Sequence, residues 1–584
     1  MMAGKQTERN GGDRLKVISN HLSSCKSRKP GSLPVHGNGI ISNGDVELAP
    51  PPTGLEKAYS TLLTPAATRF VADMVLEFDS KVDEILRERT QKKLELDRWN
   101  TLPDFRMDTL HIQQGSWTVD PVPRRLINRH VDLGDVSPSN TQHFTRALQS
   151  PAQGIQTDFD DGHCPNWHTQ LQGLYNVYRA VHGMMPGAPP IQDAPVLMLR
   201  PRAGNMVEHN MLVNGKETPG PLFDFGLLMF HNARILLGKE SGPFFYLSKV
   251  EGYREARLWD KIFTWAEVKL GLPLGCVKAT VLIENVLASF EMQEILYELR
   301  RHSAGLNCGL WDYSASFVNK FGHRTDFVLP DRHKYVNMER HFLKSYLALT
   351  IKTCHQRGCH ATGGMIALTL PSQKGPEYNA VVEKACRSKL SEIKAGADGF
   401  MVYDLGLLQP MLQLWAKFAP SPNQHSVLRH DVSIAAKDLL VMPSGGVTLS
   451  GLKTNIAVGI LFVESWLRGK GHFIFNGSVE DSATAEISRS QVWQWIRHGT
   501  RLEDNNQPVT RQLVVSLVIS FLADQAGLPK HLSGERDFAR RLKVAANVFL
   551  QLVTKRDFPA FITTYLNLEN TFLTSPWHAS LSLA

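Results

Sequence analysis

VKATVLIENVLASFEMQEILYELRRHSAGLNCGLWD, residues 277–312, holds one complete structural unit and the start of the next. Val277 to Ile283 is a short apolar run with β-branched residues, the signature of a buried strand, and it stops at Glu284. EMQEILYELRR, residues 291–301, carries apolar residues at helical spacing. A second apolar run begins at Ala304 and reaches Asp312, a lone carboxylate in a stretch otherwise thin in charge. Strand, carboxylate, helix, strand and carboxylate make a repeating unit whose charged residues fall at equivalent places.

The design recurs on both sides. GIQTDFDD (154–161), VLMLR (196–200), FFYLSKVE (244–251), GGMIALTL (363–370) and GFMVYDLG (399–406) are further apolar runs that end in or near charge. Helical stretches such as YREARLWDKIFTWAEVK lie between them. Strand and helix alternating over some 300 residues predict parallel β structure, and this many units favour a closed (β/α)8 barrel. Residues 53–110 read as helix with one apolar face. From residue 447 the pattern is helical again (LKTNIAVGILFVESWLRG, RLKVAANVFLQLVTK). The predicted plan is α/β: a leader over 1–52, a helical segment over 53–110, a TIM barrel over 111–446 and a helical domain over 447–584.

The 584 residues are 42% hydrophobic and 21% charged, which describes a soluble globular protein of several domains or one barrel with additions. No run of about 18 uncharged apolar residues is present, so no membrane span is expected. Seven cysteines, an odd and scattered count, make no disulfide framework and point to a reducing compartment. CHQRGCH (354–360) fits no zinc-ligand spacing. The net charge of +8 is modest and interleaved with acids, which argues against nucleic acid and suits small anionic substrates.

In a barrel of this kind the active site lies where strands end. Asp158, Asp160, Arg200, Lys249, Glu284 and Asp312 fall there. Each alone reads equally well as a salt-bridge partner, but together they form a pattern. Glu284 and Asp312 would sit side by side on the rim, where two carboxylates repel unless a cation lies between them. Oxygen ligands of this sort suit Mg²⁺. Arg200 adds a forked cation for a carboxylate or a developing oxyanion. The residues by themselves predict a metal-assisted site for a small anionic carbonyl compound.

AGLNCGLWDY resembles the malate synthase signature, and RPR from Arg200, GPLFDFGLLMFHN, GPFFYLSKVEGYREARLW, VLPDR, IKTCHQRG and ATAEISRSQVWQWIRHG resemble the shorter, A-type malate synthases in the same order. The resemblance runs from about residue 65 to 550. It implies an N-terminal helical clasp, a (β/α)8 barrel and a C-terminal helical plug. It also implies an Mg²⁺-dependent Claisen condensation of acetyl-CoA with glyoxylate, followed by hydrolysis to (S)-malate and CoA in the glyoxylate cycle. By the resemblance Glu284 and Asp312, 28 positions apart, are the metal ligands. Gly309, Leu310, Trp311 and Asp312 bring the backbone to glyoxylate. Arg200 is the catalytic arginine, with Arg202 the neighbouring alternative. Asp481 is the catalytic base; read without the family, it is an ordinary helix N-cap.

The chain departs from the family pattern beside these positions. It has RPRAGNMVE for RPRGWHLPE, Leu310 where arginine is frequent, Ser314 and Ala315 for larger apolar residues, DFDDG for DFEDS, and VYDLGL for VAHPGL. Two further readings therefore stand beside an active malate synthase: a related condensing enzyme or lyase for another 2-oxo acid or acyl-CoA, and a barrel that has lost catalysis and serves as a binding protein. Within the leader, RLKVISNHL (14–22) resembles the type 2 peroxisomal targeting signal, which predicts an import-receptor partner and the peroxisomal matrix, or the cytoplasm if the signal is not used.

Overall fold

The computed structural model describes residues 41–43, 45–99, 101–524 and 537–573. The targeting-like peptide at 14–22 lies outside the described residues. Eight parallel strands close into a barrel: β1 (Val131–Val136), β2 (Gly154–Asp158), β3 (Val196–Arg200), β4 (Phe244–Leu247), β5 (Lys278–Ile283), β6 (Ser303–Cys308), β7 (Ala361–Ile366) and β8 (Gly399–Val402). β8 returns to β1 with Met401 opposite Asp132, so closure leaves no unpaired edge. The barrel interior is filled rather than hollow: Val196, Met198, Phe244, Tyr246, Leu282 and Ala304 form one buried cluster.

Seven strands match the apolar runs. The eighth, β1, reads VDLGDV and is hidden in the sequence by two aspartates and a glycine. All six of its residues are buried, with Asp132 paired to Arg129 at 3.3 Å. Pairing of β1 with β2 shifts register between Leu133 and Val136, a bulge at the rim. One strand end also differs from expectation. β6 stops at Cys308, and Asp312 belongs to the first turn of a helix rather than to the strand.

The leader does not extend to residue 52 as an unpacked tail. Val46–Leu48 pairs antiparallel with Val207–Val213, and both Val46 and Leu48 are buried, so apolar side chains hold this strand on the barrel. The 53–110 region is not one helix. It contains Glu56–Leu62, the 35-residue α1 (Pro65–Trp99) and Leu110–Gln114. α1 lies along α2 (Gly220–Gly238), where Phe70 meets Phe230 at 5.6 Å between ring centres, and against the helix Tyr253–Leu270, where it meets Trp265 at 5.3 Å. Its charged half reaches the rim: Arg89 pairs with Glu255 at 2.6 Å and donates to the Lys249 carbonyl at 2.7 Å.

After β6 comes α3 (Leu310–Phe321), and beyond β8 lie α4 (Leu449–Leu467), α5 (Ser482–His498) and α6 (Phe538–Thr554). These C-terminal helices have their own core, which includes Phe462, Trp495 and Phe549 and takes in Ala315 of α3. A small residue at 315 thus leaves room for the C-terminal domain to seat on α3. Polar groups fix the seat: Gln491 Nε2 donates to the Pro330 carbonyl at 2.6 Å and Gln494 Nε2 to that of Phe327 at 2.8 Å. Among the described residues, no helix is long and apolar enough to cross a membrane.

Candidate active site

A cavity of about 320 Å³ opens at the C-terminal ends of the barrel strands, lined among others by Asp135, Asp161, Arg200, Glu284, Asp312 and Asp481. Five come from the rim. Asp481 comes from the C-terminal domain, as the N-cap of α5.

Asp161, Glu284 and Asp312 place one ligand atom each within 4.8 Å of the others, and all three are buried. Their free oxygens separate them. Asp161 is fully engaged: it accepts from Lys249 Nζ at 2.7 Å, from Arg200 Nη2 and from the Ser482 hydroxyl. Glu284 Oε1 accepts the Lys249 N–H at 2.6 Å, which leaves Oε2 open. Asp312 Oδ2 is buried with no hydrogen bond, and its nearest cation, Lys249 Nζ, is 3.6 Å away. Burial pushes Glu284 up to about 7 and Asp312 above the usual carboxylate range, against the pull of Lys249. Burial would raise Asp161 too, but Arg200 and Lys249 beside it hold it below that range. Hard oxygen donors with an orphaned carboxylate oxygen fit a small divalent cation held by Glu284 and Asp312, while Asp161 beside them is the counter-ion of Lys249 and Arg200.

Arg200 ends β3 and faces Asp158 at 3.5 Å and Asp160 at 3.3 Å as well as Asp161; its Nε is buried without a partner. These acids outweigh the burial that would otherwise depress the guanidinium, so it stays charged. Arg202 is excluded as its alternative. It is saturated by Asp224 at 2.8 Å and Glu208 at 2.9 Å, 1% exposed, and does not line the cavity.

Gly309 precedes α3, where an added Cβ would lie 3.0 Å from Glu284 Cβ, so glycine permits this close approach. The Gly309 N–H donates to the Tyr346 hydroxyl at 3.0 Å and is not free for a ligand. The amides of Leu310, Trp311 and Asp312 form the uncapped first turn of α3, a set of N–H groups with no partner inside the helix. Asp481 serves as the N-cap that its sequence position suggests: Oδ1 accepts the Thr484 N–H at 2.9 Å. It nonetheless lines the cavity, so the two readings of this residue are compatible.

Three participants escaped the sequence reading. Asp161 closes the quoted DFDD, of which the sequence reading took only Asp158 and Asp160 as strand-end charges. Asp135 lies in the unrecognised β1. Arg89 is far away in sequence and reaches Lys249 only through the packing of α1.

Charge gathered at strand ends under a helical cover is the layout of a barrel enzyme. Comparison with known proteins specifies the kind. Residues 196–442 match the family model "Malate synthase, TIM barrel domain", and residues 446–569 match "Malate synthase, C-terminal". The malate synthase of Myxococcus xanthus (strain DK1622) is 40% identical over 513 residues, covering 86% of this chain and 93% of that one. Malate synthase A of Escherichia coli (strain K12) is 36% identical over 512 residues, 86% and 95%. The glyoxysomal malate synthase of Gossypium hirsutum is 35% identical over 525 residues, 87% and 91%. The chain belongs to the malate synthase family, acyltransferases of the glyoxylate cycle.

Proposed function

We propose that this chain condenses acetyl-CoA with glyoxylate and hydrolyses the product thioester to (S)-malate and CoA, with Mg²⁺ held by Glu284 and Asp312. The observation that carries the reading is Asp481, delivered by a separate domain into the same cavity as the two open carboxylates and Arg200. Bound there, Mg²⁺ supplies Lewis-acid polarisation of the glyoxylate aldehyde. The first-turn amides of α3 and the positive end of that helix receive the glyoxylate carboxylate. Asp481 takes a proton from the acetyl methyl, a very weak carbon acid, and Arg200 stabilises the negative thioester oxygen. The methyl carbon bonds to the aldehyde carbon, and water then breaks the C–S bond to release CoA. A second cleft of about 450 Å³, lined by Tyr403, Arg468, Lys470, His168 and His472 and by no acidic residue, suits the phosphates of CoA.

Glyoxylate-dependent thiol release from acetyl-CoA with Mg²⁺ tests this. Asp481→Asn should lower kcat by about 10²–10⁴-fold while glyoxylate still binds. Folded wild-type protein that releases no CoA with glyoxylate would sink the proposal, and release with pyruvate or propionyl-CoA alone would favour the related condensing enzyme. We further place the enzyme in the peroxisome through an import receptor for residues 14–22; a chain lacking them should remain cytosolic.

A further inference from the structure

Asp135 has no task in the scheme above, yet its placement is unusual. It sits at the β1 bulge with φ +52°, a left-handed conformation that aspartate tolerates better than most residues. Its N–H donates to Gln156 Oε1 at 3.1 Å. Its side chain is 3% exposed, and Oδ2 is buried with no donor to it. The charged and titratable groups facing it come from four elements: Asp481 at the start of α5, Asp158 of β2, Arg200 of β3 and Tyr403 after β8. Asp481 lines the same cavity and is the acid that acts on it most strongly.

Two facing carboxyls share a site comfortably only when one keeps a proton. The structure shows which one. Asp481 already serves as an acceptor, taking the Thr484 N–H at the start of α5. Asp135 has no such donor, and its buried orphan oxygen is satisfied if it carries a hydrogen aimed at Asp481. Burial, Asp481 and Asp158 raise the Asp135 carboxyl well above the usual range, with Arg200 pulling the other way. The flank is also settled. His472 Nδ1 donates to the Gly162 carbonyl at 2.8 Å, so its Nε2 accepts the Tyr403 hydroxyl at 3.1 Å. Tyr403 therefore spends its proton away from the acids.

We propose that Asp135 is a positioning residue for Asp481, to which its carboxyl donates an O–H···O hydrogen bond across the cavity. The bond holds one Asp481 oxygen while Thr484 holds the other, which fixes the plane of the base towards the acetyl methyl. Loss of the Asp135 proton at alkaline pH leaves two facing anions and a second negative charge where the enolate must form. The inference rests on Asp481 being the base.

Asp135→Gly removes the carboxyl and accepts φ +52°; Asp135→Asn keeps a neutral donor. With acetyl-CoA and its trideuterated-methyl form, Asp135→Gly should lower kcat about tenfold or more, leave the glyoxylate KM within about twofold, and enlarge the isotope effect on kcat. Wild-type kcat should fall at alkaline pH, and Asp135→Asn should restore kcat to within about threefold of wild type and abolish that fall. Wild-type kcat in Asp135→Gly, an unchanged isotope effect, or an Asn variant no better than the Gly variant each overturns the proposal. Full activity in Asp481→Asn would instead defeat the assignment of the base.

Discussion

Asp312 lines the cavity from the first turn of α3 with one carboxylate oxygen unengaged. Its open Oδ2 has no other use in the fold, and its burial is a cost unless a cation is bound. Asp312→Ala should therefore lose glyoxylate-dependent CoA release by on the order of 100-fold or more. It should also lose the rise in unfolding temperature that Mg²⁺ gives wild type, while unfolding cooperatively in a metal chelator. A variant that still gains stability from Mg²⁺ would place the ion elsewhere. Arg200 and Arg202 show the limit of reading at this scale. Two residues apart in RPR, they look interchangeable, but β3 ends at Arg200 on the rim, and the chain beyond it carries Arg202 into a closed ion cluster with Asp224 and Glu208.

At the scale of elements, two contacts carry distinct consequences. α4 and α6 approach so closely at Gly459 that an added Cβ would lie 2.3 Å from Phe549 Cε2. Gly459→Ala should destabilise the C-terminal domain by about 1–3 kcal/mol through overpacking, read as a lower thermal midpoint. α1 has a more direct link to chemistry, because Arg89 donates to the Lys249 carbonyl and Lys249 itself holds φ +55° at the rim. Arg89→Leu should cost about 1–3 kcal/mol of stability and lower kcat as well, since Lys249 presents its N–H to Glu284. Unaltered kcat in that variant would confine Arg89 to a structural part. The long helix was legible from its spacing; its reach to Lys249 was not, since 160 residues separate the two.

For the whole molecule, a set of buried histidines works against stability in acid. Burial lowers His130, His143 and His360 to about 4, and His163 and His333 to about 3. These five are neutral in the fold but protonate near 6.5 once unfolded, so the unfolded chain binds more protons as pH falls. Their stabilisation is complete above about 6.5 and is lost towards 4. His302 and His355 act oppositely: against burial, Asp260 and Glu267, and Asp398, raise them, and their contribution fades as pH rises. The raised Glu284, Asp312 and Asp135 carboxyls also oppose the five, so the histidine part is read as a difference: His143→Gln should lose less urea midpoint than wild type between pH 7.5 and pH 5, and an identical pH response would refute it.

The sequence alone determined the barrel, the helical additions and the carboxylates at the strand ends, because strand and helix periodicity and the residues that end them are local properties. β1 was the exception, since its aspartates are burials that only a closed barrel with Arg129 at hand makes affordable. The tertiary structure alone decided which oxygens are open, which arginine faces the cavity, and that Asp481 and Asp135 line one cavity although 346 positions lie between them. Those are properties of convergence. They depend on how barrel closure and the seating of a second domain bring distant charges into one low-dielectric space, and no pattern along the chain encodes that distance.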